Sequence, residues 1–314
     1  MRFSLSTNWN ASRHADGEEM AEEILSLGFD ALELGYNTTE AQAPGIRRCV
    51  ASGAVTVDSV HSYCPVPISA PHGYPELYLL ASLDDDERAM ATLLLGRTLD
   101  FAASVGARAI VLHAGRVFLN SWLLGHLGTA TLRNMLEQED DNPLSSRYRE
   151  MLAKALRRRA KRARKHLDGF CRSLETLLPR FENAGVTLCL ENLPSIEAFP
   201  DAGEMQLLNK RFASAPLAYW HDMGHAQVRE FFGWERHLDT ARALLPMTRG
   251  IHIHDARPPA NDHLPPGKGA IDFNAFAFYG EADVIRVFEP EPNIKPDALK
   301  SALDLLRRTW AAKP

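Results

Sequence analysis

Short apolar runs recur along this chain, and at least six of them stop on a histidine or a carboxylate. VTVDSV runs into His61, AIVL into His113 and VTLCL into Glu191. LAYW runs into His221 and Asp222, GI into His252, Ile253, His254 and Asp255, and DVIRVF into Glu289. A charged or metal-binding residue at one strand end is ordinary. The same ending on strand after strand requires the strand ends to converge. The (β/α)8 barrel gathers the C-terminal ends of its parallel strands at one rim, and catalysis sits at that rim.

The remaining pattern agrees with a barrel. Strand signals fall at about 2–8, 29–34, 55–61, 107–113, 185–191, 216–222, 249–255 and 283–289. Amphipathic stretches lie between them, among them Gly17–Leu27, Asp84–Val105, Gly203–Phe212 and Trp234–Leu245. Gly28, Gly106 and Gly185 stand where a helix should stop before the next strand. Strand–helix alternation of this length predicts one barrel domain over residues 1–314. An open doubly wound sheet would want a Gly-rich phosphate loop after its first strand, and Asn8–Asp16 contains none. Two βα segments are long, 62–82 and 115–179. The second makes a helical excursion after strand four, with acidic EQEDD followed by the basic ALRRRAKRARKHLDGF. Long loops at this rim usually shape a substrate site.

Composition narrows the function classes. With 45% hydrophobic and 24% charged residues, the chain can bury a full core. A net charge of −5 does not point to nucleic acid, although it does not exclude it. The basic run Arg157–Lys165 reads as a solvated helix with charge on all sides, balanced by EQEDD. Four cysteines without CxxC spacing, and no leader-like N-terminus, give the expectation of a cytoplasmic protein with reduced thiols. No apolar run has membrane-spanning length. The oligomeric state stays open.

Glu191, Asp222 and Glu289 end three different predicted strands, so a barrel would bring all three to one rim. Grouped carboxylates repel unless a cation neutralises them. His252 adds a nitrogen donor, giving a set suited to Zn, Mn, Fe or Mg. Asp222 and His225 form a D-x-x-H pair. His252 and His254 share one strand face by the period of two, with His252 favoured as the ligand. The Pro- and Gly-rich DHLPPGKG loop would hold His263 over the mouth. His14, His72, His126, His166 and His237 read as core or surface residues.

Taken as a set, LENLP, HDMGHA, HIHDAR, HLPPGKG and FEPEP resemble the xylose isomerase-like TIM-barrel superfamily, which includes the AP endonuclease family 2 enzymes. The resemblance covers nearly the whole chain and implies a divalent metal at the C-terminal rim. Its isomerase-like members hold one metal with residues matching Glu191, Asp222, His252 and Glu289, and the two glutamates also act as acid and base. Its endonuclease IV-like members hold two or three ions, and their extra ligands match His61, His113, His225 and His263. Where those members carry Asp-x-His, this chain has Asn261, with Asp262 one place later.

Two functions follow as expectations. One is a metal-dependent isomerase or epimerase of a small sugar, sugar phosphate or polyol, with Glu191 and Glu289 exchanging a proton. The alternative is a polynuclear phosphoester hydrolase, endonuclease IV-like or similar to a cobamide-remodelling phosphodiesterase, with one to three ions in all. A barrel that binds without turnover is disfavoured, because the four-ligand core is complete. Position at strand ends nominates Asn8, Trp9, Glu33, Tyr63, Arg116, Asn192, His254, Arg257 and Lys268 as substrate contacts.

Overall fold

The computed structural model describes residues 1–119, 127–137 and 142–311. His126 and residues 138–141 of the acidic EQEDD run lie outside the described residues.

Eight parallel strands close into a barrel in sequence order: β1 Ser4–Ser6, β2 Ala31–Leu34, β3 Val57–His61, β4 Ala109–Leu112, β5 Thr187–Glu191, β6 Leu217–Asp222, β7 Thr248–Ile253 and β8 Ile285–Phe288. β8 pairs back onto β1 through Ser4↔Val287 and Leu5↔Phe288. Seven fall inside the predicted windows, and β7 begins one residue before its own, at Thr248. β1 is shorter than expected because Thr7–Trp9 turns into a 3-10 helix.

Two cores result. The larger fills the layer between strands and helices. A small inner core of Ala109, Val111, Cys189, Trp220, Ile285 and Val287 plugs the barrel itself. Register explains the plug: Val111 faces Cys189, and Trp220 faces Gly250. A Cβ on Gly250 would overlap the Trp220 ring, so the indole fills the barrel only because that position is glycine. Above the plug, the next inward residue along each strand lies two positions on. Glu33, His61, Glu191, Asp222 and His252 are the last or near-last residues of their strands, and His113 and Glu289 follow theirs directly.

Helices surround the barrel. Those predicted over Gly17–Leu27, Asp84–Val105 and Gly203–Phe212 appear as Gly17–Ser26, Asp85–Ser104 and Ala202–Arg211. The helix expected from Trp234 starts only at His237, because Gly233 takes a positive φ of 79° and Trp234 folds onto Phe232. Gly28, Gly106 and Gly185 all have positive φ, as helix-stopping glycines should.

The excursion after β4 is dominated by the 39-residue helix Ser146–Ala184. Its charge is not spread on all sides, contrary to the sequence expectation. Leu152, Ala155, Arg159, Ala163 and His166 form a buried stripe, and Lys154, Arg157, Lys161, Arg164 and Lys165 are exposed. The period of 3.6 separates the faces, and Arg159 joins the buried one because Asp201 (2.6 Å) and Glu204 (2.7 Å) neutralise it. Among the described residues no helix is long and apolar enough to cross a membrane.

Two small antiparallel pairs dress the rim. Gly115–Arg116 pairs with Ala198–Phe199, and Asp255–Arg257 pairs with Asn261–Leu264.

Candidate metal centre

Glu191 stands at the middle of the rim. Its Oε2 lies 3.1 Å from His61 Nε2 and 3.1 Å from His113 Nε2. Its Oε1 lies 3.1 Å from His252 Nδ1 and 3.6 Å from His225 Nδ1. His252 Nδ1 is also 3.2 Å from Glu289 and 3.6 Å from Asp222. Donor atoms of Glu191, Asp222, His252 and Glu289 fall within 4.8 Å of one another, and all four residues are buried.

The side of His252 away from this group faces Glu33, whose two oxygens each lie 3.1 Å from Nε2. Ser59 donates to Glu33 at 2.8 Å. This geometry assigns the imidazole proton to Nε2 and leaves the Nδ1 lone pair aimed at three carboxylates. That arrangement is unfavourable unless the ring is protonated or a cation lies between them. Three buried carboxylates around one imidazole nitrogen therefore fit a divalent ion, with oxygen and nitrogen donors of the kind Zn or Mn accepts.

The ionisation directions agree. Burial alone would push the Glu191 carboxyl up, but His252 and His113 outweigh it and hold it well below the ordinary range. Asp222 is also held well down, His225 and His254 overcoming burial. Burial works against a charged His252, yet Glu289 and Glu33 drive it well above its ordinary value. His61 and His113 touch the same Glu191 oxygen and shift in opposite directions. Both are buried, but His61 also feels Glu289 and Glu33 and moves up, whereas burial prevails at His113 and it moves down.

The other imidazoles divide by their hydrogen bonds. His254 Nδ1 accepts the His263 N–H at 2.8 Å and its Nε2 meets Asp222 at 2.8 Å. Both nitrogens are engaged, so His254 orients Asp222. His225 Nδ1 donates to the Asn192 carbonyl at 3.0 Å, and His263 Nδ1 donates to the Glu289 carbonyl at 2.8 Å. This leaves Nε2 of each open. His225, His254 and His263 have nitrogens within 4.8 Å of one another. The exposed Asn261 contributes no anion, and Asp262 comes to 3.9 Å from His225 Nε2.

Several sequence nominees take other places. Asn192 is buried and spent on the backbone of Asp222, Nδ2 donating to its carbonyl (2.9 Å) and Oδ1 accepting its N–H (2.8 Å). Trp9 is buried, with its indole N–H on the Ile294 carbonyl at 2.8 Å. Tyr63 donates to the Tyr78 carbonyl, and Arg116 forms a two-pronged pair with Glu76. Arg257 and Lys268 are exposed on the hairpin and its following turn. His221, although it ends a run, points the other way by the period of two and meets His237 at 3.0 Å outside the barrel. Asn8 does reach the centre, Nδ2 donating to Glu289 at 3.3 Å.

Sequence reasoning gave no role to Asp255. Its buried carboxylate accepts N–H bonds from Ala256, Gly267, Gly269 and Ile271, at 2.7–3.0 Å. It thereby folds the PPGKG turn. The Gly-rich turn after HIHD was the available signal, since crowded backbone N–H groups need an anion.

A family model for the xylose isomerase-like TIM barrel matches residues 21–308. Among solved structures the chain is similar to 3-keto-D-glucoside 4-epimerase from E. coli in its apo form, at 15% identity, covering 98% of this chain and 99% of that one, with a TM-score of 0.67. It is similar to a D-tagatose 3-epimerase-like protein at 18% identity, covering 99% and 100%, with a TM-score of 0.64. It is also similar to D-psicose 3-epimerase with D-tagatose from Clostridium cellulolyticum H10, at 15% identity, covering 99% of each chain, with a TM-score of 0.66. No curated protein matched the sequence.

Proposed function

Since this chain belongs to the xylose isomerase-like TIM barrel family, we propose that it is a divalent-metal-dependent isomerase or epimerase of a small sugar, sugar phosphate or polyol. The observation that carries this reading is the pair Glu191 and Glu289. They come from β5 and β8, three strands apart around the barrel, and both lie against His252. Glu191, Asp222, His252 and Glu289 would hold the ion, which when bound would polarise a substrate carbonyl and lower the pKa of the neighbouring C–H. One glutamate takes that proton, and the other returns one from the opposite wall. Both carboxyls are held below their ordinary values in the metal-free protein, Glu289 by His252 and His263 against burial, so either can accept the proton; its partner must first take one up from water in order to return it. Asn8 fixes the orientation of Glu289 through its amide. The sugar epimerases of similar fold support the substrate class.

A specific observation favours a second reading. His61 and His113 both crowd Oε2 of Glu191, an oxygen that a single-ion isomerase would leave for the proton. His61 and His113 together with Glu191 would offer enough donors to hold a second ion, which would supply the hydroxide and phosphate stabilisation that a phosphoester hydrolase requires. Metal content and proton exchange separate the readings. About one ion per chain, with deuterium entering a ketose beside its carbonyl in D2O, supports the isomerase. Two or three ions, phosphodiester cleavage and no exchange would replace it with the hydrolase. Glu191→Gln should abolish turnover in either case.

A further inference from the structure

The turn after β2, Gly35-Tyr36-Asn37, lies beside the two glutamates and supplies none of the metal donors described above. Gly35 has a structural reason to lack a side chain: an added Cβ would overlap the Asn8 amide. That close approach lets Asn8 Oδ1 accept the Asn37 N–H at 3.1 Å while Nδ2 reaches Glu289. Tyr36 sits between these contacts. Its ring meets His61 edge-on, with centroids 5.1 Å apart and planes at 80°. His61 in turn stacks on His252, with centroids 5.7 Å apart.

The backbone of this turn is pinned from above. Val66 N–H donates to the Thr38 carbonyl at 2.8 Å, and Gly73 packs so closely on the Tyr36 carbonyl that a Cβ there would overlap it. The Tyr36 ring is therefore aimed by its surroundings. Its hydroxyl has no hydrogen-bond partner among the described residues, and the side chain keeps part of its surface open. The buried Tyr279 hydroxyl also lacks a partner, but its ring stacks on His221 outside the barrel and not at the rim. Three other tyrosines behave differently. Tyr63, Tyr148 and Tyr219 donate to the Tyr78 carbonyl, the Phe232 carbonyl and Asn192. A largely enclosed phenol usually finds such a partner. An ordinary phenol is protonated at neutral pH and offers one donor.

We propose that Tyr36 contacts the substrate, its hydroxyl donating a hydrogen bond to the oxygen beside the carbon that exchanges its proton. This rests on the isomerase reading above. A donor to an oxygen that gains charge during proton removal should matter to kcat by about 10–100-fold.

Tyr36→Phe removes the oxygen and keeps the ring on His61. The experiment follows deuterium incorporation from D2O into a panel of ketohexoses by wild type and variant. Metal content and Tm are measured on the same preparations. Exchange by wild type, with kcat at least about 10-fold lower in the variant at equal metal content and Tm, supports the proposal. Exchange by both proteins within twofold overturns it and leaves the isomerase reading standing. A variant that loses metal or Tm in step with activity also overturns it, because Tyr36 would then be a support for His61. Absence of exchange and of ketose binding in wild type overturns the isomerase reading, and this proposal with it.

Discussion

Glu33→Gln is the sharpest probe of how the centre is built. Glu33 is fully buried, and both its oxygens lie 3.1 Å from His252 Nε2. Its negative charge makes the imidazole a stronger donor at Nδ1, the nitrogen that faces Glu191, Asp222 and Glu289. Carboxylates placed behind ligating histidines are worth roughly 10–100-fold in metal affinity or activity. Glutamine keeps an acceptor for the Nε2 proton and loses only the charge, so the expected loss of affinity is at the lower end, about 10-fold, or about 1.4 kcal/mol. The metal-free protein should respond differently. Glu33, Glu191, Asp222 and Glu289 crowd one buried region, and the repulsion relieved by removing one negative charge offsets the support lost by a charged His252. The chelated variant should therefore melt no lower than chelated wild type. Affinity is measured by competition with a chromophoric chelator at fixed pH, and Tm by thermal unfolding of the chelated proteins. Affinity unchanged within twofold would refute the reasoning. So would a fall in the Tm of the chelated variant, which would make Glu33 a structural residue.

Three further outcomes are expected. His61→Ala should leave the ion held by Glu191, Asp222, His252 and Glu289 in place; elemental analysis showing that one ion of two or three is lost would favour the hydrolase. Gly250→Ala should overpack the barrel against Trp220 and destabilise by about 1–3 kcal/mol in urea unfolding. Arg159→Met should leave Glu204 and Asp201 without their cation. A loss of about 3 kcal/mol is expected for a nearly buried pair, reduced because Asp201 is 38% exposed. An undiminished Tm in that variant would show that the two carboxylates find water instead.

Much of the architecture was legible in the chain. Each of the eight strand windows matches an observed strand to within a residue or is longer than it, and runs ending in His, Asp or Glu placed Glu191, Asp222, His252 and Glu289 at one rim. Both readings rest on local periodicities, two along a strand and 3.6 along a helix, which a linear sequence carries directly. The basic helix was misjudged because its single buried arginine disguised the boundary between faces. Only the positions of Asp201 and Glu204, some 42 and 45 residues away, show why Arg159 can be inside.

What the sequence determined by itself was which residue types end each strand, and hence that carboxylates and imidazoles suited to a cation converge at one rim. The tertiary structure alone decided the division of roles among them. His252 and His254 are two residues apart, yet one faces three carboxylates and the other is spent between Asp222 and the His263 backbone. His221 ends a run but faces away from the centre, whereas Glu33, on a strand with no histidine, stands directly behind His252. The physical reason is the stagger of strands remote in sequence. Period two sets the side of the sheet a residue occupies, and the register between strands sets which nitrogen meets which oxygen.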